Sequence, residues 1–263
     1  MPSLSMRTNA LFAFLILLFF TGSGFASTST TTSLAYSHQN TQQLQKTLPD
    51  LKKYASGTPR KKAFLNAIVP AIDKVNREIM NDRTWLLERR NAKHWSQSDI
   101  AKLGKLCRSY DMTCSSPKRT NWNALLSRVD ILPTHFVATQ AATESGWGTS
   151  KLAQSNNNLF GMRCGRGCSA KAGQVQGYYA YSTIEDSVTA YMKNLNTHRA
   201  YNSLRSERAK QRLGDDDSLS TPELISQLEG YSQKGDAYNR YLRQMYDSNK
   251  TLITSAQKVA QNS

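Results

Sequence analysis

Apolar residues recur at intervals of three and four along most of this chain, the spacing that places them on one face of a helix. From Lys61 onward, Phe64, Leu65, Ile68, Ile72, Val75 and Ile79 follow that period, and Pro70 is expected to kink or divide the run. Ser96 is placed to cap a second helix whose buried side is Ile100, Leu103, Leu106 and Cys107. Asn121 opens a short helix carrying Leu125, Leu126 and Val129. Pro133 suits the first turn of the next, which runs through Phe136, Val137 and Ala141 to Glu144 and stops at Gly146. Ser182-Thr183-Ile184-Glu185 reads as a capping box, followed by Ile184, Val188, Tyr191 and Leu195 on one face. Thr221-Pro222-Glu223 begins another helix ending at Gly230, and Tyr238, Leu242 and Met245 mark the last.

The period changes once. Gln174 to Tyr181, with Val175, Tyr178, Tyr179 and Tyr181 after a glycine-rich stretch, has strand-like content and predicts a small β-hairpin lobe. No repeat, heptad array or second apolar cluster asks for another core, so the fold class is mainly α, an α+β protein with a minor β element.

The ends differ from the middle. Residues 1–26 carry one charge, Arg7, an apolar run from Ala10 to Phe20 and Gly24-Phe25-Ala26, which together predict a cleaved signal peptide. The apolar run is shorter than the roughly 20 residues that span a bilayer, so no stable membrane anchor is expected after cleavage. Residues 27–41 are expected to be a flexible Ser/Thr-rich leader, 42–250 the folded domain and 251–263 a polar tail.

Composition narrows the class. The formal net charge is +15 over 263 residues. An exported basic protein with no aromatic and basic recognition motif is a poor nucleic-acid binder, and anionic cell-envelope polymers suit the charge better; solubility alone would also account for it. Four cysteines fall as two close pairs, Cys107 with Cys114 and Cys164 with Cys168. Two local disulfides are the simplest outcome in an oxidising compartment, although four cysteines allow three pairings and zinc is a competitor. Neither spacing is C-x-x-C and no histidine stands beside them, so no metal is expected.

The chemistry concentrates in ATESGWGTSKLAQSNNNLFGMRCGRGC, Ala142 to Cys168. Stepping back from Glu144 by threes and fours gives Ala141, Gln140, Val137 and Phe136, so its carboxyl shares a mostly apolar face. Burial and the negative end of a helix dipole both disfavour its charge and push its pKa upward. A carboxyl that keeps its proton near neutrality is what glycosidic cleavage requires, because the leaving oxygen must be protonated as the bond breaks. The ordinary alternative is an inert surface glutamate.

Glu144-Ser145-Gly146-Trp147-Gly148 followed by Asn157-Asn158-Leu159-Phe160-Gly161 resembles the signature of the glucosaminidase family of peptidoglycan hydrolases, and the resemblance extends from about Ile131 to Tyr246. Tyr231-Ser232 with Gly235 and Tyr238 looks like that family's terminal element. The helical region before Ile131, Cys164, Cys168 and Asn194 to His198 are similar to its longer, Bax-type members. The resemblance implies a lysozyme-like helical core with a small β-hairpin lobe and a cleft between them, preceded by an N-terminal helical extension. It implies a general acid at Glu144, a cleft tyrosine at Tyr191, and sugar contacts from Trp147, Asn158, Phe160 and Gly161. Each has a plainer reading: Tyr191 and Trp147 as core aromatics, the asparagine turn as a structural turn, and His198 as a structural residue. Peptidoglycan glycan strands are the implied partner, with no cofactor, a monomeric state and a periplasmic location.

One departure stands out. Many relatives carry a second carboxylate in the hairpin, yet Gly161 to Tyr181 contains no Asp or Glu, and the nearest, Glu185, has a competing capping role. The expected activity is an endo-β-N-acetylglucosaminidase using Glu144 with substrate assistance. A lytic transglycosylase or muramidase is the enzymatic alternative, and a non-catalytic cell-wall-binding module is the alternative of another class.

Overall fold

A computed structural model describes residues 45–164, 168–214, 218–228 and 236–262. The segments expected to be signal peptide and leader, and Gly165, Gly167, Gly230, Tyr231, Ser232 and Gly235, lie outside the described residues. Among those described, helices dominate: α1 (Thr58–Arg90), α2 (Gln97–Ser109), α3 (Trp122–Arg128), α4 (Thr134–Ser145), α5 (Lys151–Asn156), α6 (Ile184–Thr197), α7 (Asn202–Gln211), α8 (Thr221–Ser226) and α9 (Asp236–Asn262). No described helix is long and apolar enough to cross a membrane.

The helix starts obey local chemistry. Ser96 and Asp99 close a capping box on α2, and the Asn121 side chain accepts from the Ala124 amide to cap α3. The capping box of α6 pairs Thr183 with Asp186, one residue later than expected, which releases Glu185 from that role. Pro133 is the N-cap of α4 and not part of its first turn. α8 stops at Ser226 with Gln227 as its C-cap. Ile100, expected inside, is 37% exposed, and α2 buries Leu103, Leu106 and Cys107 instead.

α1 runs unbroken through Pro70. An internal proline costs a helix about 3 kcal/mol, but Ile68, Val69, Ala71 and Ile72 around it are all buried. Each large aliphatic side chain buried returns roughly 1.5–3 kcal/mol, so packing outweighs the lost backbone bond.

α4 is buried almost all the way round, from Phe136 and Val137 to Ala141 and Ala142, as a helix at the centre of a core must be. α1 and α9 flank it, α6 packs on α1, and α8 lies against both α4 and α9. Residues 251–263 were expected to be a polar tail. α9 instead continues to Asn262, because Ile253 and Ala256 keep its apolar stripe in the core beyond Lys250. The polar residues at the end of the sequence are the solvent face of an amphipathic helix.

The expected hairpin is reduced to one antiparallel bridge, Arg163 with Tyr178. The Cys164 amide donates to the Gly177 carbonyl and the Tyr179 amide to the Met162 carbonyl on either side of it, and three consecutive asparagines add to this pairing. Asn156 donates to the Val175 and Tyr179 carbonyls and accepts from the Val175 amide. Asn157 donates to the Tyr181 carbonyl. Asn158 donates to the carbonyls of Met162 and Tyr179 and accepts from the Met162 amide. Side-chain amides thus satisfy backbone groups beyond those the short backbone pairing reaches. Disulfides join Cys107 with Cys114 and Cys164 with Cys168.

Behind the core, Asp130 gathers three arginines. Arg212 binds its carboxylate through two nitrogens at 2.8 and 3.1 Å, Arg83 approaches to 3.5 Å and Arg208 to 3.8 Å. The surplus positive charge is spread over carbonyls. Arg83 donates to Leu126 and Val129, and Arg208 to Ser127 and Ile131, so the end of α3 and the link to α4 are capped by guanidinium groups. Burial lowers the pKa of Arg208 to about 10, with Asp130 opposing that shift. Removing one partner from such a group leaves buried charge uncompensated. Asp130→Asn is expected to lower the unfolding free energy by about 3–5 kcal/mol, measured by denaturant titration.

Candidate active site

The Glu144 carboxyl stands near the C-terminal end of α4, where the chain reverses through three successive left-handed residues, Gly146, Trp147 and Gly148, at φ of 57°, 56° and 72°. Trp147 holds a conformation unusual for a bulky residue because the Ser145 hydroxyl accepts from the Gly148 amide at 2.8 Å and the Ala142 carbonyl accepts from its own amide at 2.9 Å. A Cβ on Gly148 would lie 2.4 Å from Leu51 Cδ1 and 2.8 Å from Phe64 Cδ2, so only glycine allows this turn to press against the start of α1.

The chain then passes through α5 and the asparagine turn and returns to the acid. Gly161 adopts φ 65°, and a Cβ placed there would stand 4.0 Å from Glu144 Oε2. Glu144 and Gly161, seventeen residues apart in sequence, therefore meet, and Gly161 places no side chain beside Oε2.

The other oxygen, Oε1, accepts a 2.5 Å hydrogen bond from the Tyr238 hydroxyl on α9. The same hydroxyl lies 2.8 Å from Gln140 Oε1, one turn before Glu144 on α4. Tyr201 also lies within electrostatic reach: burial chiefly pushes its phenol up, a hydrogen bond with Asn194 opposes this, and the Glu144 charge adds to the rise. Burial raises the pKa of Glu144, and the bond from Tyr238 pulls partly back. The group is thus biased toward its protonated form while one oxygen is held in place.

The remaining expected site residues fall mostly beneath this point. Phe160 is 3% exposed and stacks on Tyr191 at 3.9 Å with the rings 4° from parallel. Tyr191 is itself completely buried, so its ring supports the floor of the turn and does not face a cleft. Asn158 is spent on the lobe backbone and buried. Trp147 packs edge-on against Phe64 with the Lys61 ammonium 4.9 Å above its ring. His198 caps the turn Arg199–Tyr201 by accepting from the Ala200 amide, which positions Tyr201. Glu185 pairs with Lys74 at 2.5 Å. Among the described residues, no three His, Cys, Asp or Glu side chains converge as a metal site.

Sequence reasoning placed Gln140 beside Glu144 and matched Tyr238 to a motif, but gave neither a role at the acid. The helical period showed the first; contact between α4 and α9 has no signature in the sequence.

A mainly helical core with a half-buried acid between a glycine turn and a tyrosine accords with a glycoside hydrolase of the glucosaminidase class, which the family match shows. Residues 119–251 match the Glucosaminidase family, described as mannosyl-glycoprotein endo-beta-N-acetylglucosaminidase, and the chain belongs to that family. It is similar to Protein bax of Escherichia coli (strain K12), with 49% identity over 210 residues that cover 79% of this chain and 76% of that protein. No solved structure matches the chain.

Because the folded state raises the Glu144 pKa above its ordinary value of 4.5, burying the charge weighs against the fold only once that carboxyl ionises. The stability it contributes is complete below the ordinary carboxylate range and is lost as pH rises through the raised value. Glu144→Gln is expected to melt at a higher temperature than the parent at neutral and alkaline pH. That difference should close as pH falls below the ordinary carboxylate range, in calorimetric scans across pH.

Proposed function

We propose that this protein is an exported peptidoglycan hydrolase, an endo-β-N-acetylglucosaminidase that cuts the glycan strand after N-acetylglucosamine with Glu144 as general acid. The observation that carries this reading is the Glu144 carboxyl itself, half-buried, held at Oε1 by Tyr238 and with Oε2 beside Gly161, which has no side chain. The family match and the two disulfides support a glycan substrate and an oxidising compartment. The apolar leader read from the sequence supports export to the periplasm, and the strong positive charge suits a polymer bearing peptide carboxylates.

Glu144 gives its proton to the glycosidic oxygen as the bond from C1 breaks. The positive charge developing at C1 needs a partner on the other face of the ring. No carboxylate lies between Gly161 and Tyr181, and Glu185 is engaged by Lys74. The carbonyl oxygen of the substrate's own N-acetyl group fills that role by bonding to C1 and forming an oxazolinium ring. Water then adds at C1 and reopens the ring while the Glu144 carboxylate takes the water proton. Configuration is retained, and the acid returns to its starting state.

A single acid also serves a lytic transglycosylase, in which a sugar hydroxyl attacks within the substrate. Products separate the two: reducing N-acetylglucosamine ends are expected from purified sacculi, whereas anhydro-muramic ends identify the transglycosylase and reducing muramic ends a muramidase. Glu144→Gln is expected to keep the fold and to lower release of reducing ends by at least ~10²-fold, read by mass spectrometry and reducing-end assay. Retained activity would overturn the assignment of the acid, and binding to sacculi by the parent without products would favour a non-catalytic binding module.

A further inference from the structure

Two features beside the acid do not balance as they stand. The Tyr238 hydroxyl has one hydrogen but faces two acceptors, Glu144 Oε1 at 2.5 Å and Gln140 Oε1 at 2.8 Å. On the same side chain, Gln140 Nε2 is buried with no hydrogen-bond partner, in a residue only 1% exposed. An orphaned amide donor in the core costs about 1–3 kcal/mol. A half-turn of the Gln140 amide about its terminal bond removes both faults: Nε2 then donates to the Tyr238 oxygen, and the single hydroxyl hydrogen goes to Glu144. The carbonyl left behind is the group that proteins more readily leave under-satisfied.

We infer that Gln140 is a positioning residue which, through Tyr238, decides which oxygen of Glu144 carries the catalytic proton. The chain of donors runs from Gln140 Nε2 to the Tyr238 oxygen and from the Tyr238 hydroxyl to Glu144 Oε1. With Oε1 committed as an acceptor, the labile proton resides on Oε2, the oxygen beside Gly161. Donation from Gln140 polarises the Tyr238 hydroxyl and strengthens its bond to the carboxylate, so the pair also restrains the upward pull of burial on Glu144. Gln140 touches neither substrate nor the reacting atoms in this arrangement. The glutamine one helical turn before the acid is therefore part of the machinery for a reason separate from packing. The inference rests on Glu144 being the acid of the proposed reaction, but the hydrogen-bond chain can be read without activity.

The test is a double-mutant cycle in the whole protein, with the Glu144 carboxyl followed by ¹³C NMR titration and assigned through Glu144→Gln. Gln140→Met, which keeps volume and removes the donor, is expected to move that titration up by about half a pH unit. The alkaline limb of the activity profile should move with it, with kcat reduced roughly threefold to tenfold and KM held within about twofold. Tyr238→Phe is expected to move the titration further up, by about one unit. Adding Gln140→Met to Tyr238→Phe is then expected to change nothing more, because the glutamine acts only through the hydroxyl. If Gln140→Met fails to fold, Gln140→Leu serves the same cycle. An unchanged titration in the single variant, or a shift that persists undiminished in the Tyr238→Phe background, would overturn the inference. A non-additive cycle in a protein that releases no reducing ends would leave the hydrogen-bond chain standing and remove the enzymatic reading.

Discussion

The buried carboxylate of Asp130 is the fixed point from which the site is built. It lies in the link between α3 and α4 and is held by arginines from α1 and α7, while its carbonyl accepts from Asn196 on α6 at 3.0 Å. Three helices are thereby tied to the segment immediately before α4. A charge centre of this kind is weak evidence for stability, since desolvation consumes most of the attraction. Its value lies in direction: guanidinium groups bond in a fixed fork and cannot slide as apolar contacts can. The start of α4 is set in register, and a helix buried on nearly every side carries that register along its length to its acid.

At the far end the constraint is steric. The left-handed turn through Gly146 to Gly148 is pressed against Leu51 and Phe64, so the chain leaving Glu144 has one route. That route ends in the asparagine turn, which brings Gly161 back to the carboxyl. The acid is then held from three sides: by the helix that bears it, by the turn that follows it, and by α9 through Tyr238. Burial raises its proton affinity and the phenol tempers the effect while holding the carboxyl in place.

Much of this could be read from the residues, and the failures are instructive. Helix positions followed from apolar spacing because most helices pack on one face. Caps at Ser96 and Asn121 followed from local hydrogen bonding; the box at Thr183 was misplaced by one residue because glutamate and aspartate compete for the same role at adjacent positions. α1 ignored Pro70, and α9 ignored its polar composition, where long-range burial overrode local preference. Among the described residues the strand-like tyrosines near residue 180 make a single bridge, and the carbonyls of Tyr179 and Tyr181 are taken by the side chains of Asn156, Asn157 and Asn158. The partial burial of Glu144 was legible, since its helix face marked it. The aromatic residues around it were named from the motif and turn out to be its underpinning, with Phe160 and Tyr191 stacked inside. Tyr238 entered the site through packing of helices almost a hundred residues apart, which no local pattern encodes.

The amide-clamped lobe has one more implication. A conventional hairpin exposes a row of unpaired donors and acceptors along its outer margin, which a neighbouring chain can extend. Here many of the loop's hydrogen bonds turn inward to three side chains, and the described part offers a single bridge. A basic protein concentrated along a repeating polyanion would meet its own copies often, and a lobe built this way gives them little to zip onto.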